Sequence, residues 1–293
     1  MKPVAFELKT PRTVDEALAL LSDSRGRDVK VLAGGQSLVP LLNFRLARPD
    51  VLVDLNRLQE LQYIRTDADG GMLTIGAMTR QATVESSPEV GRLAPLISEV
   101  LPWVGHAAIR NRGTIGGSLA HADTAAELCM ACLALDAEIV AQSQRGQRTI
   151  SIKDFFVGPF TTALATDELL LEVRLPPLPP GAGWGFEEVA RRRGDFAMVA
   201  VTAMLQVDAR RNVTDARLAY LSMGPTPLRA RQTEAWLRDQ SAGAQTFAQA
   251  AESAIAELDP GEDMHASRDY RIRVARALTR RALAHALERT ASR

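Results

Sequence analysis

At 293 residues the chain is too long for one typical core and fits two or three compact units. Lysine plus arginine equals aspartate plus glutamate, 35 each, so the net charge is zero; this argues against a large nucleic-acid footprint and weakly favours a subunit over a lone monomer. No apolar stretch approaches the roughly 20 residues of a membrane-spanning helix, and the start, Met1-Lys2-Pro3-Val4-Ala5-Phe6-Glu7, has no apolar signal core or cleavage site, so a cytoplasmic protein is expected.

In chain order, Thr13-Val14-Asp15-Glu16 forms a capping box that opens a helix with Ala17, Leu18, Leu20 and Leu21 on its apolar side. Val29 to Ala33 is expected as a buried strand, and Val51 to Leu55 as a second one after the breaker Arg48-Pro49-Asp50. This alternation predicts a small α/β unit. Leu61 to Arg65 and Met72 to Gly76 flank Asp69-Gly70-Gly71 as a hairpin. Thr79 is expected to cap a short helix, Pro88 to Val100 to form a second helix and Glu127 to Leu135 a third. Ala137 to Ala141, Arg148 to Ile152 and Leu169 to Leu175 return to strand character.

Pro176-Pro177-Leu178-Pro179-Pro180-Gly181-Ala182-Gly183 can continue neither a helix nor a central strand, so 176–183 is expected as an extended connector. After it, Trp184 to Ala190, Ala197 to Val207 and Val213 to Ser222 predict three antiparallel strands. Three helices should follow, over Arg229 to Asp239, Phe247 to Leu258 and Arg268 to Glu288. Ile272, Ala275, Leu278, Ala282 and Leu283 fall on one face of the last. The expected organisation is 1–175 in two parts, about 1–57 and 58–175, then the connector, then 184–293.

Two glycine segments stand out. Ala33-Gly34-Gly35-Gln36-Ser37 follows the apolar run Val29 to Leu32, and Thr114-Ile115-Gly116-Gly117-Ser118 follows Arg110-Asn111-Arg112-Gly113. A Gly-Gly step lets the backbone take positive φ and approach a ligand closely. Successive N–H groups in such a turn form an anion site, to which Ser and Thr hydroxyls add donors. Two converging turns would grip a diphosphate, and dinucleotides usually carry redox chemistry. Neither segment is a Rossmann or P-loop fingerprint, and Gly-Gly pairs are also common in ligand-free turns. From spacing alone both readings stand.

Cys129 and Cys132 form C-x-x-C inside an apolar helix and are read as small packing residues, because zinc or an iron–sulfur cluster would need further ligands and the chain has no other cysteine. His106, His121, His265 and His285 are scattered; only His121 adjoins a glycine segment, where a structural hydrogen bond is as good a reading as cofactor contact. Arg191 to Arg193 is read as a solvated charge run, with steering of an anionic acceptor as the alternative.

Taken together, three motifs in order resemble the FAD-binding medium subunit of the molybdenum hydroxylases, the carbon monoxide dehydrogenase and xanthine dehydrogenase family. They are Ala33 to Pro40 with Arg48-Pro49 and Val53-Asp54-Leu55-Asn56; Ile109 to Ser118 with Ala120-His121-Ala122-Asp123; and Arg191-Arg192-Arg193-Gly194-Asp195-Phe196-Ala197. The similarity covers essentially the whole chain. It implies an α+β fold: a two-part α/β FAD-binding domain of the PCMH type, followed by a C-terminal module of a three-stranded antiparallel sheet with three helices.

The resemblance also implies a non-covalent FAD whose diphosphate and ribose lie on Leu32, Ala33, Gly34, Gly35, Gln36 and Ser37 and on Thr114, Ile115, Gly116, Gly117 and Ser118. Glu127 stands where the family usually has Asp as a further contact. Asp195 and Phe196, after Gly194, would also contact the cofactor, Phe196 covering one face of the isoalloxazine, and Leu170 would touch the flavin. Some relatives carry a lysine in the strand before the Arg-rich turn; this chain has Glu187-Glu188, so that contact is not carried over. No catalytic side chain and no metal ligand is expected here. The implied partners are a small subunit with [2Fe–2S] clusters, a large molybdopterin subunit in a dimer of heterotrimers, and an external electron acceptor.

Two other classes compete. A self-contained flavin-dependent oxidoreductase would need an acid/base residue over the flavin, and the sequence offers no His or Tyr pair for it. Against a non-catalytic nucleotide-binding scaffold stands Phe196, placed after Gly-Asp as a flavin-facing residue should be.

Overall fold

Residues 2–24, 26–67 and 71–290 are described by a computed structural model. Thr13 caps the first helix as its sequence dictates: its hydroxyl accepts from the Glu16 N–H at 3.2 Å, while the Glu16 carboxylate reaches back to the Arg12 N–H at 2.7 Å. The first unit runs β1 (Glu7–Lys9), α1 (Val14–Ser22), β2 (Val29–Leu32), α2 (Leu38–Asn43) and β3 (Val51–Asp54). Its three strands form a parallel sheet in the order β1-β3-β2. Central β3 is buried, whereas β2 is only half-buried, because it is an edge strand and not the buried one its apolar run suggested. β1 escapes a sequence reading: Glu7-Leu8-Lys9 has a single apolar residue, and that residue is half exposed.

The second unit contains β4 (Ile64–Thr66), β5 (Leu73–Gly76), α3 (Gln81–Glu85), α4 (Pro88–Leu93), α5 (Pro95–Val100), α6 (Ala107–Arg110), α7 (Ile115–His121), α8 (Glu127–Ala134), β6 (Glu138–Ser143), β7 (Gly146–Ser151), α9 (Ile152–Phe155), β8 (Phe156–Gly158), β9 (Thr161–Thr162) and β10 (Leu169–Leu175). Its sheet is antiparallel in the order β4-β5-β10-β6-β7. β4 and β5 pair as a hairpin; of its expected turn, Asp69 and Gly70 lie outside the described residues. Pro88 to Val100 is two helices and not one, broken at Ala94 (φ −135°, ψ 59°), since Pro95 pushes the residue before it out of the helical region. Thr79 does not cap α3; its hydroxyl exchanges hydrogen bonds with the Tyr63 backbone at 2.9–3.0 Å, and Arg80 holds the capping position.

Residues 176–182 join the two halves without a strand or helix, and Gly183 already opens the next strand. The third unit contains β11 (Gly183–Val189), β12 (Val199–Val207), β13 (Val213–Leu221), β14 (Leu228–Arg229), α10 (Arg231–Leu237), α11 (Ala244–Ile255) and α12 (Arg268–Thr290). The three expected antiparallel strands are present, with two-residue β14 added at the β13 edge. Alternation along β11 divides its labour. Gly183, Gly185 and Glu187 face α12, where Glu187 meets His285 at 3.1 Å. Trp184 and Phe186 point the other way: Trp184 donates to Glu99 at 2.7 Å and Phe186 packs edge-on against Trp103. Arg289 near the end of α12 closes on the same Glu99 at 2.6 Å, so the third unit is fastened to α5 of the second.

Candidate functional site

Ala33 to Ser37 connects the edge strand β2 to α2. Gly35 takes φ +75°, the left-handed conformation that suits glycine. The backbone N–H groups of Gly35, Gln36 and Ser37 donate to no described residue, so the turn offers a row of unpartnered donors. Such a row suits an anion with several oxygens.

The second glycine segment differs from the expected turn. Gly116 and Gly117 have no positive φ; they lie in the first turn of α7, with Thr114 as its cap accepting from Gly117 N–H at 3.0 Å. The Ile115 and Gly116 N–H groups donate to the carbonyls of Thr79 and Ala77. The glycines are required for proximity. A Cβ on Gly116 would lie 2.8 Å from the Ala77 carbonyl oxygen, and one on Gly117 would lie 2.7 Å from the Thr114 hydroxyl and 3.3 Å from the Ala33 Cβ. A Cβ on Gly34 would collide with the Arg112 carbonyl oxygen and sit 2.8 Å from the Gly113 Cα. The two segments therefore touch.

Three polar side chains not singled out as site residues in the sequence brace this contact. Asn56 donates to the Ala33 carbonyl at 2.9 Å. Arg80 donates to Asn56 Oδ1 at 2.6 Å and to the Arg112 carbonyl at 2.5 Å. Gln81 donates to the Ser118 hydroxyl at 2.8 Å. Asn56 at least lies in a recognisable Val-Asp-Leu-Asn run. Arg80 and Gln81 carry no local signal, because their partners are 24 to 37 residues away.

The loop Arg191 to Phe196 approaches from the third unit. Gly194 (φ +88°) lies so near Gly105 and His106 that a Cβ there would sit 2.8 Å from the Gly105 carbonyl oxygen. Asp195 is exposed, and Phe196, at 70% exposure, is a bare aromatic ring beside the junction of the units. Ser222 ties that loop to the loop preceding α8, donating to the Ala197 carbonyl at 2.8 Å from its hydroxyl and to the Thr124 carbonyl from its N–H. Leu170 is buried in β10 at a bulge; the carbonyl of Leu171 accepts from Ala77, whose own carbonyl holds Gly116.

Glu127 opens α8, next to the second segment: the Cys129 thiol two residues on contacts the Ser118 carbonyl at 3.8 Å. Glu127 is buried, and burial together with the charge of Glu188 raises its pKa to about 8. Glu188, whose two oxygens are buried without a hydrogen-bond partner, is raised to about 8 by burial. Both thiols are free and buried, and burial raises them, Cys132 to about 12; they are packing groups. His121 lies against the Phe160 ring at 5.1 Å, and burial lowers its pKa.

The paired acids have a stability consequence. The unfolded chain releases these protons near pH 4.5, whereas the folded chain holds them to about pH 8. Stability therefore falls as pH rises through that window. In the ligand-free chain, Glu188→Gln should change the unfolding midpoint little at pH 5 and raise it by roughly 10 °C at pH 9. Equal shifts at both pH values in a thermal melt would contradict this.

A diphosphate fits this geometry: unpartnered N–H groups on one side, and glycines admitting close approach where the segments meet. Comparison with known proteins gives the family. Residues 4–178 match the family described as FAD binding domain in molybdopterin dehydrogenase, and residues 184–286 match the CO dehydrogenase flavoprotein C-terminal domain. The 6-hydroxypseudooxynicotine dehydrogenase complex subunit alpha of Paenarthrobacter nicotinovorans is 44% identical, over 99% of this chain and 97% of that protein. The caffeine dehydrogenase subunit beta of Pseudomonas sp. (strain CBB1) is 40% identical over the same shares. Among solved structures, a chain of carbon monoxide dehydrogenase from Hydrogenophaga pseudoflava superposes with a TM-score of 0.94 at 36% identity, covering 99% of both chains.

Proposed function

Since this chain belongs to the FAD-binding medium subunits of the molybdenum hydroxylase family, we propose that it is the electron-transfer flavoprotein subunit of a multi-subunit hydroxylase or dehydrogenase. Electrons enter from [2Fe–2S] clusters on a small partner subunit and leave through FAD to an external acceptor. The organic substrate is oxidised at a molybdopterin cofactor on a large partner subunit, in a dimer of heterotrimers. The observation that carries this reading is the contact of the two glycine segments, with three unpartnered N–H groups at Gly35 to Ser37.

FAD, when bound, supplies the conversion between two-electron and one-electron chemistry. The chain's own residues position and shield it. Gly35, Gln36 and Ser37 donate to the diphosphate from one side, and Gly116 and Gly117 let the backbone of α7 close from the other. Phe196 covers a face of the isoalloxazine, Leu170 and Glu127 complete the contacts, and residues 184–293 bring the Phe196 loop to a cofactor held by residues 1–175. A self-contained oxidoreductase would need a His or Tyr pair over the flavin. Tyr63 and Tyr220 are committed elsewhere, to Glu172 and Thr279.

The purified chain should bind FAD and take electrons from an artificial donor, yet oxidise no organic substrate alone. With both partners added, flavin reduction should depend on a substrate set by the large subunit. Turnover of a physiological organic substrate by the chain alone would overturn the subunit reading.

A further inference from the structure

A half-buried guanidinium stands where the two glycine segments meet, and no described carboxylate forms an ion pair with it. Arg80 holds Asn56, and Asn56 holds the Ala33 carbonyl; the other prong of Arg80 holds the Arg112 carbonyl, against which Gly34 is packed. Its backbone also bridges Thr114. Arg80 thus ties the flanks of both glycine segments, one through Asn56 and the other through the Arg112 carbonyl and its own backbone bridge to Thr114.

The charge on that side chain is the unexplained part. Burial disfavours it, the neighbouring charge of Arg112 disfavours it further, and only the field of Asp54 opposes them. Two hydrogen bonds to neutral acceptors do not require a cation. A partly buried charge beside a like charge is unfavourable unless an anion completes the site.

We propose that Arg80 is a positioning residue of the FAD site, holding the Ala33 and Thr114 segments in register and leaving its positive charge against the diphosphate. The proposal rests on the flavoprotein reading above. It assigns Arg80 two separable contributions: a two-pronged strap, which needs the planar fork of a guanidinium, and a charge, which lysine preserves.

The test measures FAD dissociation constants by flavin fluorescence quenching on the full chain stripped of flavin, between about 20 and 500 mM salt, alongside the unfolding midpoint. Arg80→Met should weaken binding at least about tenfold at low salt and flatten the salt dependence, because a charge facing the diphosphate has been removed. Arg80→Lys should lose several-fold affinity yet keep the wild-type salt slope. Asn56→Ala should likewise weaken binding with the slope unchanged. A merely structural strap would lower affinity and midpoint together in every variant and move no slope; that result would overturn the proposal. So would wild-type affinity in Arg80→Met or, should that variant fail to fold, wild-type affinity in Arg80→Lys. Failure of the wild-type chain to bind FAD at any salt would overturn the flavoprotein reading as well, whereas tight wild-type binding indifferent to Arg80 overturns this proposal alone.

Discussion

Gly35→Val is expected to abolish flavin retention while leaving the C-terminal module folded. Gly35 sits at φ +75°, and a Cβ there would lie 3.1 Å from Val39 Cγ2 and 3.3 Å from Leu32 Cδ1. Those side chains can yield by a few tenths of an ångström, but the backbone angle cannot be kept. A left-handed residue with a Cβ costs about 1–2 kcal/mol, more when β-branched, and that strain is relieved by turning the peptide. Turning it redirects the Gln36 and Ser37 N–H groups away from the diphosphate. Gly26 supplies the control, at φ +77° with nothing within 4 Å of its Cβ position. Gly26→Val carries similar strain away from the site and should keep its flavin. The ratio of flavin to protein absorbance reads both variants, with far-UV circular dichroism for the fold. Full flavin content in Gly35→Val would sink the two-segment clamp.

The largest expected loss of stability lies in the third unit. Gly185→Val should lower the unfolding midpoint by roughly 6–12 °C, from about 3 kcal/mol of overpacking at about 2–4 °C per kcal/mol. A Cβ at Gly185 would be 3.0 Å from the Ala282 Cα and closer still to its carbonyl oxygen. These are backbone atoms of a 23-residue helix, so no rotamer change relieves the clash. α12 must lift, exposing the buried stripe Ala275, Leu278, Ala282, Leu283 and Ala286. A midpoint within about 2 °C of wild type would show that α12 docks less closely than described.

That stripe illustrates what a sequence discloses. Ala275, Leu278, Ala282 and Leu283 repeat at helical spacing, so their common face is legible; Ile272 shares that spacing and is only half-buried, while buried Thr279 and Arg271 are hidden by their polarity. Thr279 is accommodated by Tyr220 at 2.9 Å, 59 residues away, and Arg271 by Asp263 at 2.7 Å and by the Met198 carbonyl, 73 residues away. The same division runs through the site. Gly-Gly steps betray close approach, but not its geometry: the second pair is helical and serves packing against Ala77 and Ala33. β1 was illegible because an edge strand of three residues needs no apolar alternation. The braces at Arg80 and Gln81 were illegible because they exist only once chain segments far apart in sequence have met.

Gly194 is pressed on Gly105 and His106 across the junction between units, so the flavin site proposed above would have one wall on each side of it. On that proposal, cofactor occupancy and closure of the junction are linked equilibria. Whatever factor FAD contributes to closing the units, closing the units contributes to holding FAD. A protein seated on the third unit that holds the Phe196 loop shut would tighten the flavin without touching it. Assembly and cofactor loading then become reciprocal.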